Sequence, residues 1–195
     1  MTDEGLTREF ARVLAEFKRG GTEAGERLWS LVYDELHAMA HRRLRRGGPG
    51  NTLNTTALVH EVYLKIGKER ELGVADRGHF MALACKVMRQ ILVQNARYHG
   101  AKKREAQHLA KTFDDDLTGE EPGEVDILAL NQALKDLEAV DKRLVAVVEC
   151  RFFGGLSAEE TATILAVSSR TVERDWIKAK MYLYSMLREE AQRSS

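Results

Sequence analysis

Apolar residues return at three- and four-residue intervals through most of this chain, and no stretch alternates apolar with polar as a half-buried strand would. That spacing gathers the apolar side chains on one face of a helix, so the chain has to fold by packing helices. Leu6, Phe10, Val13, Leu14 and Phe17 predict a first helix, ended by Gly20-Gly21. A second is predicted from about Thr22 to Arg45, with Leu28, Leu31, Val32, Leu36, Met39 and Leu44 inward and Gly47-Gly48-Pro49-Gly50 as the stop. A third opens near Asn54 or Thr55 and runs to Ile66. A fourth, His79 to about Tyr98, buries Phe80, Leu83, Ala84, Val87, Met88, Ile91 and Leu92. The periodicity returns at Ile127, Leu130, Leu134 and Leu137, and two further helices close the chain.

Charge divides the chain more sharply than the helices do. The 195 residues carry 30 Lys+Arg and 30 Asp+Glu, and a formal charge of zero would argue against a polyanionic partner if the charges were evenly spread. They are not. Residues 1–104 hold 19 basic against 12 acidic residues. Residues 105–126 hold 1 against 8, and residues 127–195 hold 10 against 10. A basic front, an acidic joint and a balanced back point to polyanion binding at one end. The acidic stretch, with Pro122, Gly119 and Gly123, reads as a solvated flexible linker. The expected architecture is therefore all-α, with two small helical domains, 1–104 and 127–195, joined by the linker 105–126. The linker is expected to fold over the basic domain and suppress stray DNA binding.

Several function classes find no support. Cys85 and Cys150 lie inside apolar helical patterns, without the spacing of a zinc site, and read as buried reduced thiols. His37 and His41 share a helix face but have no third ligand nearby and sit beside Arg42 and Arg43, so a metal is not expected. Gly47-Gly48-Pro49-Gly50 lacks the Lys-Ser/Thr ending and the preceding strand of a phosphate-cradling loop. No catalytic residues, cofactor or small-molecule substrate are expected. The first ten residues, MTDEGLTREF, show no secretion signal and no apolar run approaches a bilayer span, so a cytoplasmic location is expected.

The C-terminal helix pair carries the most specific signal. Ser157 with Glu160 three residues on forms a capping box for a short helix through Leu165. Ala166-Val167-Ser168 makes a tight turn, with Ser168 as a second cap, and a longer helix runs from Ser169 to about Leu187. Ala162, Leu165, Val167, Val172, Trp176, Ala179 and Leu183 are expected inside. A short helix, a tight turn and a longer helix make a helix-turn-helix, whose second helix enters the major groove by its first turns. Ser169, Arg170, Thr171, Glu173 and Arg174 are then free to read bases, with Lys178 nearer phosphate.

Here the sequence resembles a known family. The run Arg151-Phe152-Phe153-Gly154-Gly155-Leu156-Ser157-Ala158-Glu159-Glu160-Thr161-Ala162, followed by Val167 to Trp176, resembles the promoter-reading C-terminal domain of sigma factors. Leu58-Val59-His60-Glu61-Val62-Tyr63-Leu64-Lys65 resembles the clamp-binding helix of their N-terminal domain. Together they resemble a two-domain sigma factor of the extracytoplasmic-function (ECF) group, over about residues 22–188. The resemblance implies that residues 1–104 bind the β′ clamp of core RNA polymerase through Leu58, His60, Glu61 and Tyr63, and open and read the minus-ten element. Lys86, Arg89, Gln90, Gln94, Asn95 and Arg97 would track the strand, and Lys102, Lys103 and Arg104 would hold phosphates. The loop 67–78, with Lys68, Arg70 and Arg77, is where relatives cup a flipped base, whose unstacking costs a few kcal/mol. Residues 127–195 would read the minus-thirty-five element and rest on the β flap. Promoter duplex, melted strand, and an anti-sigma protein or Ser/Thr kinase complete the implied partners, in a bacterial, nucleoid-associated setting.

Two departures stand out. Many relatives carry an acidic cluster just before the clamp-binding helix, but here the positions are Asn54, Thr55, Thr56 and Ala57, and His60 replaces the usual Gln. The chain thus resembles a subgroup without that cluster, and complementary charge that speeds docking is lost. Capping by Asn54, Thr55 or Thr56 accounts for these residues locally. Phosphorylation of Thr55 or Thr56 would instead restore about −1.5 to −2 charges at a helix N-terminus. The second departure is Ala166 at a corner where relatives carry glycine, which strains the turn if its φ is positive. The alternative to a sigma factor is a helix-turn-helix regulator that does not join core polymerase.

Overall fold

The computed structural model of the chain describes residues 3–19, 21–45, 53–68, 73–99 and 127–193. Among these the architecture is all-α, with no strand. The front half contains α1 (Asp3–Lys18), α2 (Thr22–Arg45), α3 (Thr55–Lys68) and α4 (Arg77–His99). The back half contains α5 (Ile127–Val140), α6 (Lys142–Val148), a π-helical turn (Glu149–Phe153), α7 (Ala158–Leu165) and α8 (Ser169–Arg193). The acidic stretch 105–126 and the cations Lys102, Lys103 and Arg104 lie outside the described residues.

The helix starts follow local chemistry. The Asn54 side chain accepts from the Ala57 N–H at 2.8 Å and caps α3, and Asp76 does the same for His79 at the start of α4. Asp141 caps α6 by accepting from Arg143 and Leu144 N–H. Phe10, Val13, Leu36, Met39, Leu58, Val62, Phe80, Met81 and Met88 are buried in the front half, with Phe10 and Phe80 edge to face at 5.5 Å. Leu130, Leu134, Leu137, Val148, Phe153, Val172 and Leu183 are buried in the back half.

The two halves are packed against each other. Helix α4 lies against α5, the π-turn and α7, and the buried apolar side chains of both halves form one continuous core. Gly154 and Gly155 permit this closeness. A Cβ on Gly154 would stand 2.7 Å from the Cys150 carbonyl oxygen and 2.7 Å from Cys85 Sγ on α4. Gly155 adopts φ +62°, and a Cβ there would stand 3.0 Å from the Arg42 Cβ on α2. The π-turn itself is held by the Gly154 N–H donating to the Glu149 carbonyl at 2.8 Å. Simple apolar periodicity does not announce such a turn, because one inserted residue shifts the helical phase.

Candidate nucleic-acid interface

Helices α7 and α8 form the expected helix-turn-helix. Ser157 Oγ accepts from the Glu160 N–H at 3.1 Å while the Glu160 carboxylate accepts from the Ser157 N–H at 2.7 Å, completing the capping box. The corner residue Ala166 sits in the left-handed region at φ 52° and ψ 44°, so it does carry the strain that glycine would avoid. Ser168 Oγ accepts from the Thr171 N–H at 3.2 Å and lies 2.8 Å from the Thr171 hydroxyl. Ala162, Val172, Trp176, Ala179 and Leu183 are buried as expected. Leu165 and Val167 are only partly buried, because α7 is short and its C-terminal end stands at the rim of the core.

This packing leaves a polar face at the start of α8. Ser169, Arg170, Glu173, Arg174 and Lys178 are exposed, whereas Thr171 is half-buried and tied to Ser168. Beneath them lies Asp175, 1% exposed, which the sequence reading missed. It accepts from Arg143 Nε at 2.7 Å and from Arg174 Nε at 3.4 Å. Asp175 therefore ties α6 to α8 and constrains the guanidinium of a candidate base reader. An Asp between Arg and Trp at helical spacing was readable only as one more solvated acid.

Helix α3 presents a different surface. Of the four residues expected to meet the clamp, Leu58 is fully buried and holds α3 in the bundle, whereas His60, Glu61 and Tyr63 are exposed. Tyr63 meets Trp29 of α2 edge to face at 4.9 Å, and His60 stacks on Tyr63 at 6.4 Å. Trp29, Tyr33, Thr56, Val59, His60 and Tyr63 line an open apolar groove of about 270 Å³. With Asn54 serving as the α3 cap, Thr56 is left exposed on the groove and Thr55 half-buried.

The α4 residues expected to track a DNA strand are split. Gln90, Gln94 and Arg97 are exposed and Asn95 is half-buried. Lys86 lies 4.0 Å from Glu138 of α5. Arg89 is 6% exposed and covered by the back half. Its Nη1 donates to Glu149 Oε1 at 2.9 Å, its Nε to Asn131 Oδ1 at 3.1 Å and its Nη2 to the Asn131 carbonyl at 3.2 Å. Burial pushes the Glu149 carboxyl above its ordinary range, against the opposing pull of Arg89. Of the cations expected in the loop 67–78, Arg77 instead opens α4 and pairs with Glu35 of α2. Lys68 closes α3, and Arg70 lies outside the described residues. The basic end of α2 also turns inward: Arg43 is buried with its guanidinium 4.5 Å from the Phe152 ring centroid, and Arg42 reaches Glu160 at 3.4 Å.

Among the described residues no group of His, Cys, Asp and Glu could hold a metal, and no helix is long and apolar enough to cross a membrane. The two thiols meet where the halves join. A hydrogen bond with Cys150, and burial behind it, hold the Cys85 thiol well above its ordinary range. No curated protein and no solved structure matches the chain. A family model described as "ECF sigma factor" matches residues 7–189, which includes every helix discussed above except the ends of α1 and α8. The chain belongs to the ECF sigma factor family and is a subunit that directs transcription initiation, not an enzyme.

Proposed function

We propose that this sigma factor divides its work between its two halves. The front half, residues 1–104, docks on the β′ clamp of core RNA polymerase through α3 and opens and reads the minus-ten element. The back half, residues 127–195, reads the minus-thirty-five element with Ser169, Arg170, Thr171, Glu173 and Arg174, while Lys178 contacts phosphate. The outward row Ile177, Met181 and Tyr184 on α8 rests on the β flap, since such a row gains by leaving water. The aromatic groove on α3 carries the reading: a regulator that only binds DNA needs the helix-turn-helix and has no use for a second docking surface. Gel filtration with purified core polymerase tests it. The factor co-elutes with core, and Tyr63→Ala weakens that association; failure of the wild type to co-elute overturns the reading.

The start of α3 lacks the acidic charge that would draw it to a basic clamp. Phosphorylation of Thr56, or of Thr55, supplies that charge. Thr56 is the better substrate because it is exposed on the groove and sits in the first turn of α3, where the helix dipole favours an anion. Control by a Ser/Thr kinase then takes the place of control by an anti-sigma protein. Thr56→Glu, and more weakly Thr55→Glu, should tighten core binding at matched salt, and the alanine variants should not respond to a kinase. Glutamate forms that bind no better than wild type remove the phosphorylation arm and leave the division of labour intact.

A further inference from the structure

The residues expected to meet the minus-thirty-five element all lie on α8, yet the structure brings a cation of α6 to their side. Asp141 sets the first turn of α6 by accepting from the Arg143 and Leu144 N–H groups. Leu144 is then buried, while Lys142 and Arg143 are exposed. Arg143 donates its Nε to Asp175 Oδ2 at 2.7 Å, and Arg174 donates its Nε to Oδ1 of the same carboxylate at 3.4 Å. One buried acid thus holds two guanidinium heads side by side, one from each helix. These arginine side chains are 51% and 58% exposed. Their Nη groups make no hydrogen bond among the described residues. Lys178, exposed one turn along α8 from Arg174, continues the row of cations.

Fastening α6 to α8 does not by itself explain this arrangement. Helix α6 already packs on α8 through the apolar core, and an ion pair whose cation is half in water adds little stability because water screens it. What the shared acid adds is order. Two arginine heads this close repel and sample many rotamers, but on Asp175 each is held by its Nε with its outer N–H groups turned to solvent. A fixed guanidinium of this kind is a ligand for an oxyanion. The nearby acids leave it that role: Asp175 is shared by two cations, and Asp141 is turned to the N–H groups of α6. Given the division of labour proposed above, on which the inference rests, the first turns of α8 enter the major groove and Arg174 faces a base edge. Arg143 then lies to the side, on the neighbouring helix, where the sugar–phosphate backbone borders the groove. We infer that Arg143 is a phosphate-binding residue of the promoter interface, fixing the back half on the duplex without reading sequence itself.

A phosphate contact has a signature that a structural ion pair lacks. The full chain is tested on two duplexes of equal length, one that wild type enriches from a randomised pool and one of random sequence. Affinity for each is measured over a range of potassium chloride concentrations. Arg143→Gln should bind both duplexes more weakly by the same factor, about 3-fold or more at moderate salt. The slope of log affinity against log salt should shrink by about 0.9, the contribution of one phosphate. Arg143→Lys keeps the charge and loses the fork, and should recover most of the affinity and the wild-type slope. Arg174→Gln should instead lose affinity mainly on the enriched duplex. The melting temperature of Arg143→Gln should stay within about 4 °C of wild type. An unchanged salt slope in Arg143→Gln overturns the inference. So does a loss confined to the enriched duplex, and so does an Arg143→Lys form that binds no better than Arg143→Gln. A wild type that enriches no duplex counts against the promoter reading of the back half, while the salt slope on the random duplex still decides the role of Arg143.

Discussion

The guanidinium of Arg89 and the carboxylate of Glu149 meet at 2.9 Å across the join between the two halves, with 7% and 8% of their side chains exposed. Asn131 takes two of the remaining donors of Arg89, so the arginine is held from three sides. Removing it strands a buried carboxylate. Arg89→Ala should cost about 3–5 kcal/mol in urea unfolding at neutral pH. Glu149→Gln, which keeps the shape and an acceptor oxygen, should cost far less.

The pH dependence of that pair has a definite sign. Desolvation raises the Glu149 carboxyl above its unfolded value, Arg89 and Lys86 oppose the rise, and Glu138 adds to it. A carboxyl raised on folding binds its proton more tightly in the folded chain, so its stabilising contribution is full below about pH 4.5 and fades as pH rises through the shifted value. Glu149→Gln removes the titration. Its stability should therefore rise relative to wild type as the pH of the urea titration is taken from about 5 to 7.5.

Ala166 offers the opposite case, a residue at odds with its backbone. Its φ of 52° costs an L-residue about 1 kcal/mol, which glycine does not incur. Ala166→Gly should stabilise the chain by up to about 1 kcal/mol, less the greater freedom glycine has when unfolded. Thermal unfolding measures it, and DNA sequence preference should not change.

Asp175 should matter to DNA reading without touching DNA. It fixes Arg143 at 2.7 Å and leans on Arg174 at 3.4 Å. Asp175→Ala should destabilise the back half by only about 1 kcal/mol, because Arg143 and Arg174 are half exposed and water takes over their charges, and it should relax discrimination at the base pair proposed for Arg174 by about 1 kcal/mol. Asp175→Asn, which keeps one acceptor, should recover part of both. Binding to operator duplexes changed one base pair at a time separates the two effects.

Much of this molecule was readable before its structure. The all-α class followed from spacing alone, and the capping box at Ser157 and the cap at Ser168 followed from residue types that bond backbone N–H groups. Those are local signals, set within four residues of chain. What stayed hidden was long-range. Arg89 is expected to track a DNA strand, and Arg43 stands in the sequence only as part of a basic run, because nothing near them in sequence says that Glu149 and Phe152 will cover them. Leu58 read as part of a docking motif, although its spacing with Val62 already put it on the apolar face. The groove formed because Trp29 and Tyr33 come from α2 and His60 and Tyr63 from α3, and a pairing between helices leaves no periodic trace.

Run-off transcription with purified core polymerase over a library of promoter fragments tests the central claim most directly, using wild type, Thr55→Glu and Thr56→Glu. The account predicts transcripts that depend on the factor, strongest with Thr56→Glu. No factor-dependent transcript from any of the three forms, on any fragment, would contradict it.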